Sequence, residues 1–115
     1  MVTIEKLKEY GADADSGLAR CFGNEDLYLK LVGMMPTEKH FEELSAALEE
    51  NNLDKAFEAA HALKGTAGNL SLTPLYGPLV EITELLRTRT DTDYSDLMDV
   101  ISEKRQELQK LYEES

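Results

Sequence analysis

The residues of this chain best suited to chemistry are His61 and Lys64, in the run Ala60-His61-Ala62-Leu63-Lys64-Gly65-Thr66-Ala67-Gly68-Asn69-Leu70. Ala56, Ala60, Leu63, Ala67 and Leu70 recur at steps of four and three, the spacing of one apolar stripe on an α-helix. At about 100° per residue, His61 lies roughly 140° from the centre of that stripe and faces solvent or the rim of a groove. Lys64 follows one turn later on the same flank, and Gly65 and Gly68 project on the side of His61. Each glycine inside a helix costs about 1 kcal/mol relative to alanine, so the pair forgoes on the order of 2 kcal/mol. A bare backbone beside an imidazole lets another body come close to it.

The chemistry open to such a group is nucleophilic. Near neutral pH an exposed imidazole is substantially unprotonated, so a ring nitrogen has a free lone pair and attacks a phosphoryl group delivered by a partner. The Lys64 ammonium approaches the phosphate oxygens in a charge-assisted contact, while Gly65 and Gly68 clear the approach. Phosphoryl transfer is mostly positioning and charge stabilisation, so half of the site, including any metal ion, can sit on the other protein. A metal site in this chain fails on ligand count: there are two histidines and one cysteine, and Glu58 three before His61 makes a single Glu-x-x-His where bundle di-metal sites use two. A hydrolase triad lacks a strand-to-helix nucleophile turn, and a nucleotide site lacks a glycine-rich cradle. The plainer reading, an ordinary surface histidine, leaves the lysine and the two costly glycines unexplained. Phe57, one turn before His61 on the same side, is either an interface anchor or a ring tilted into a neighbouring helix. His40, among Glu38, Lys39 and Glu42, reads as solvated surface with no role.

Composition narrows the partners. With 115 residues, 42% of them hydrophobic, the chain suits one domain, residues 1–115, with one core. Twelve basic against twenty-three acidic residues give a net charge of −11, which repels nucleic acid and anionic membrane surfaces. The single Cys21 forms no internal disulfide and reads as packing, and no leader or bilayer-length apolar run is present. A cytoplasmic, monomeric protein is expected.

The elements that must hold His61 follow from periodicity and caps. Thr3 to Tyr10 reads as a short helix with Ile4 and Leu7 inward, stopped by Gly11 and lidding the bundle. Asp13 or Asp15 caps a second, through Leu18, Cys21 and Phe22, ended by Gly23. Asn24 starts a long arm whose stripe Leu27, Leu31, Met34 and Met35 continues through Phe41, Leu44 and Leu48, with a kink or short break near Met35 imposed by Pro36. Asn52 caps the helix of His61, from about Leu53 to Leu70. Thr73-Pro74 starts the next, with Leu75, Leu79, Ile82 and Leu86 buried; Gly77-Pro78 either distorts its first turn or delays its start. Arg87 to Asp93 is a polar loop, and a last amphipathic helix carries Tyr94, Leu97, Met98, Ile101, Leu108 and Leu111. With no alternating strand pattern, the fold class is all-α: an antiparallel four-helix bundle with one or two short N-terminal helices.

The run His61-Ala-Leu-Lys64-Gly65-Thr-Ala-Gly68-Asn-Leu70 resembles the signature of histidine-containing phosphotransfer (HPt) domains, the relay modules of bacterial two-component signalling. Gly17-Leu18-Ala-Arg20 through Gly23-Asn-Glu-Asp-Leu27-Tyr28 also resembles the family's N-terminal element, and Leu75 to Glu84 its helix after the motif. Ser71 departs from the glycine usual at the end of the motif helix. The resemblance implies that His61 accepts a phosphoryl group from an aspartyl phosphate on one receiver domain, or from a histidine or hybrid kinase, and passes it to another receiver. Lys64 would contact the phosphate, Gly65 would leave room for it, and Phe57, Glu58 and Gly68 would lie on the partner face. The domain would have no kinase activity and no cofactor of its own, the Mg ion sitting on the receiver. Two alternatives share the resemblance: an adaptor that binds a receiver or kinase without carrying phosphate, and the excised phosphate-carrying domain of a chemotaxis-type histidine kinase, against which the chain's length argues.

Overall fold

The structure, a computed structural model, describes residues 2–114; Met1 and Ser115, the two ends of the expected domain, lie outside the described residues. It is all-helical among them, with α1 (Ile4–Tyr10), α2 (Ala14–Arg20), α3 (Glu25–Met34), a 3-10 turn (Met35–Thr37), α4 (His40–Glu49), α5 (Leu53–Asn69), α6 (Thr73–Arg87) and α7 (Ser95–Glu113). The bundle is α4 to α7. Three-residue connections join α4 to α5 and α5 to α6, and each of those pairs is packed together, so successive helices run antiparallel. α5 is the central helix, packed on both α4 and α6.

Side-chain oxygens start four of the helices, at Asn24 and Asn52 as the sequence predicts. Thr3, Asp13, Asn24 and Asn52 accept from Lys6 N, Ser16 N, Leu27 N and Lys55 N, each satisfying one amide that has no partner within its own helix. Of the two candidates at α2, Asp13 is the cap. Gly11, at φ +113°, ends α1. α7 differs: its cap position is Tyr94, and Asp93 accepts from Ser95 N at 2.9 Å. Gly77-Pro78 neither distorts nor delays α6, which is helical from Thr73. Pro78 lies close to the helix start and forgoes a single backbone bond there, while Leu75, Leu79, Ile82 and Leu86 form the buried stripe as expected.

The short break expected near Met35 is present: the turn at Pro36, whose carbonyl accepts from Arg105 Nε at 2.6 Å, parts the arm into two helices. The expected buried stripe of α3 does not hold. The buried face of α3 is Tyr28, Val32 and Met35, and Leu27, Leu31 and Met34 are exposed. Tyr28 sets that rotation. Its ring packs where Gly17 has no side chain, and its hydroxyl donates to the Leu70 carbonyl at 2.7 Å, anchoring α2 and α3 to the end of α5. Burial is the main influence pushing its phenol up to about 12, so the neutral donor form prevails at ordinary pH. Likewise α2 ends at Arg20, so Phe22 lies beyond it, left-handed at φ +57° and 97% exposed. Its apolar ring finds no place in the core because Cys21 takes the buried position next to it.

Helices α4, α5 and α6 end alike. At α5, Leu72 N bonds Ala67 O and Ser71 N bonds Gly68 O, with Ser71 left-handed at φ +56°. A serine thus holds a conformation that glycine adopts without strain. Relief of that strain predicts that Ser71→Gly stabilises the domain by about 1 kcal/mol. Urea unfolding would show a higher midpoint at unchanged slope; an unchanged midpoint would show that serine fits the site equally well.

Candidate functional site

Ala56, Ala59, Ala60, Leu63 and Ala67 bury one face of α5. Four of these five are alanines, so the flanking helices approach closely and α5 is held as a rigid rod. The opposite face carries the exposed residues Glu58, His61, Gly65 and Asn69. Neither nitrogen of the His61 ring makes a hydrogen bond or ion pair to the described residues, so both are open to solvent and to a partner. Lys64 is half-buried and pairs with no carboxylate among the described residues, although the chain carries nearly two acids per base. Its ammonium is therefore free to meet an incoming anion.

The two glycines of the motif differ. A Cβ built on Gly65 meets nothing within 4 Å, so the space beside His61 is open there. A Cβ on Gly68 would lie 2.9 Å from Tyr76 Cε1, and the Gly68 carbonyl accepts from Arg20 Nη1 at 2.8 Å. Gly68 thus seats a tyrosine ring from α6 while remaining partly exposed in the same groove as Lys64 and Gly65. Arg20, Lys64, Gly65 and Tyr76 border a groove of about 450 Å³ between α2, α5 and α6.

Phe57 faces both the core and the His61 ring. It is half-buried against the core, and its ring stacks on His61 at a centroid distance of 5.7 Å and 19° between planes. The guanidinium carbons of Arg87 and Arg89 lie 5.3 and 4.9 Å from its centroid. Periodicity treated Arg87 to Asp93 as a plain loop and so missed both arginines. The one signal available was their charge, rare in this acidic chain. Glu58 is exposed and unpaired among the described residues. His40 is not simply solvated: it is half-buried, with Nδ1 2.7 Å from Glu38 Oε1.

Beside the C-terminal half of α5, Leu31 and Met34 line a small groove with Thr66, Asn69 and Leu70. Leu27, Leu31 and Met34, 40%, 36% and 59% exposed, extend this into an exposed apolar stripe along α3. No group of three or more His, Cys, Asp or Glu among the described residues is placed to hold a metal ion. None of the described helices is long and apolar enough to cross a membrane. The arrangement presents one nucleophilic ring nitrogen, one cation and clear space for a bulky electrophile brought by a second body.

No curated protein and no solved structure matches the chain. The family model for the Hpt domain matches residues 36–114, which takes in the four bundle helices and the whole His61 motif. The N-terminal likeness at Gly17 to Tyr28 falls outside the matched residues. Since the match covers well over half of the sequence and falls on the bundle that presents His61, this chain belongs to the Hpt domain family, whose members carry phosphoryl groups in two-component signalling.

Proposed function

We propose that His61 is the phosphoryl carrier of a relay between receiver domains. A ring nitrogen with a free lone pair attacks the phosphorus of a receiver aspartyl phosphate, forming the N–P bond as the P–O bond to the aspartate breaks. The carboxylate leaves, and the phosphoimidazolium releases the proton on its other nitrogen to solvent. The onward step reverses this, an acceptor aspartate attacking phosphorus while the N–P bond breaks and the imidazole leaves with a proton regained from solvent. Lys64 offsets charge on the phosphate oxygens, and the receiver supplies the Mg ion. The domain binds and transfers without kinase activity of its own, as a monomer in the cytoplasm.

The observation that carries this reading is the exposed, unbonded imidazole of His61 beside an unpaired Lys64 and the open space at Gly65. The apolar surface of Leu27, Leu31 and Met34 supports docking next to that site. Incubation with a receiver charged by acetyl phosphate tests it: the chain should gain phosphate that is acid-labile and stable to alkali. Absence of any such label on the folded protein rejects the relay role.

The space at Gly65 gives a further prediction. Gly65→Leu is expected to leave the fold intact and restore about 0.8 kcal/mol of helix propensity, because a Cβ at this exposed position meets nothing within 4 Å. It should still slow transfer by roughly a hundredfold, since an obstruction of an ångström or more ruins an in-line geometry. Stopped-flow transfer at the wild-type rate would show that Gly65 has no part in access.

A further inference from the structure

Arg89 stands in a conformation that its own side chain disfavours. It ends α6 in the left-handed region at φ +51°, at the position corresponding to Asn51 after α4 and Ser71 after α5. The backbone bonds of that helix end, Thr90 N to Leu85 O at 3.0 Å and Arg89 N to Leu86 O at 2.9 Å, need no side chain, and glycine or asparagine would make them with less strain. An exposed ion pair is weak recompense for strain. Strained backbone retained without a stability reason points to function, and the side chain's contacts show which one.

Arg89 Nε donates to Asp54 Oδ1 at 2.6 Å, across to the first turn of α5, and Nη1 donates to the Leu86 and Arg87 carbonyls at 2.6 and 3.2 Å. Anchored at both helices, its guanidinium carbon sits 4.9 Å from the centroid of Phe57, and Phe57 in turn stacks on His61. Arg87, also over Phe57, is held by Glu84 at 3.4 Å. His61 has no hydrogen bond to the described residues to fix its ring, and its aromatic contact among them is the stacked Phe57 face. We propose that Arg89 is a positioning residue: from its left-handed seat it clamps Phe57 between α5 and α6, and Phe57 backs the His61 imidazole so that a ring nitrogen points at the incoming phosphorus. This rests on the relay reading, and it adds a residue that touches neither phosphate nor imidazole.

The test exploits opposite signs in stability and rate. In Arg89→Gly the backbone strain is gone, so the thermal midpoint should stay level or rise. The His61 ring-proton resonances should move towards those of Phe57→Leu, in which the stacked ring is absent. Transfer from a phosphorylated receiver should fall about tenfold, the scale of a modest loss of orientation. Asp54→Ala, which keeps the arginine but frees its Nε, should move both readouts the same way by a smaller factor. Resonances unmoved in Arg89→Gly, or a transfer rate within about twofold of wild type, would overturn the proposal. If the wild-type protein accepts no phosphate, the relay reading fails on its own. The resonances then decide whether Arg89 orients the ring, an unmoved imidazole refuting it.

Discussion

His61→Gln will take no phosphate from a charged receiver, and labelling will fall to background. Glutamine keeps a polar side chain of similar reach but offers no nucleophilic ring nitrogen, so the N–P bond cannot form. The substitution is otherwise mild. His61 is exposed and makes no hydrogen bond to the described residues, so what is lost from the fold is its stacking on Phe57, about 1 kcal/mol at most. The variant should therefore unfold within a few degrees of wild type and still bind the receiver, since the apolar surface of Leu27, Leu31 and Met34 is untouched. Binding measured in parallel separates a carrier from an adaptor. A carrier loses label and keeps binding, whereas equal labelling of wild type and variant would remove His61 from the role.

How much of this was legible in the sequence depended on whether a residue's surroundings are local. The motif helix was readable almost to the residue, because its cap at Asn52, its alanine stripe and its end near Leu70 all lie within one helix. The outward face of His61 follows from that stripe alone. The rotation of α3 was not readable. Leu27, Leu31 and Met34 are the more apolar stripe, yet Tyr28 is buried because its hydroxyl reaches Leu70, 42 residues away, and its ring needs the gap at Gly17. Leu27, Leu31, Met34 and Tyr28, Val32, Met35 share one helical spacing, so periodicity within α3 cannot choose between the two stripes. The second use of Gly68 was unreadable for a similar reason: the ring it seats, Tyr76, belongs to the next helix. Arg89 was hidden because a left-handed arginine has no local signature, whereas Asn51 in the equivalent place does. Ser71 shows the converse, since a departure from glycine at the motif's end altered only strain and left the helix end where it was expected.

Gly17→Ala should destabilise the domain strongly, although helix propensity alone predicts a gain of about 1 kcal/mol. An alanine Cβ at this buried position would lie 2.3, 2.5 and 2.6 Å from Cε1, Cζ and the hydroxyl oxygen of Tyr28. These are ring atoms held from the far side by the Leu70 bond, so the ring cannot yield without breaking it. Overpacking costs about 1–3 kcal/mol and loss of a buried hydroxyl's bond about 1–3 more, so a net destabilisation of roughly 3 kcal/mol is expected after the propensity gain. For a domain of this size that is a fall in thermal midpoint on the order of 10 °C. Gly65→Ala is the matched control, because there the added Cβ meets nothing and propensity alone acts, raising the midpoint. Tyr28→Phe on the Gly17→Ala background should recover little, since the ring carbons still overlap. Full recovery would mean that the hydroxyl alone was the obstacle. The functional consequence is specific to docking: loosening Tyr28 frees α3 from the end of α5, so receiver affinity should weaken while His61 in any bound complex still takes phosphate. A Gly17→Ala protein as stable as wild type would show that α3 rotates at little cost, and the exposure of Leu27, Leu31 and Met34 would then no longer follow from the Tyr28 anchor.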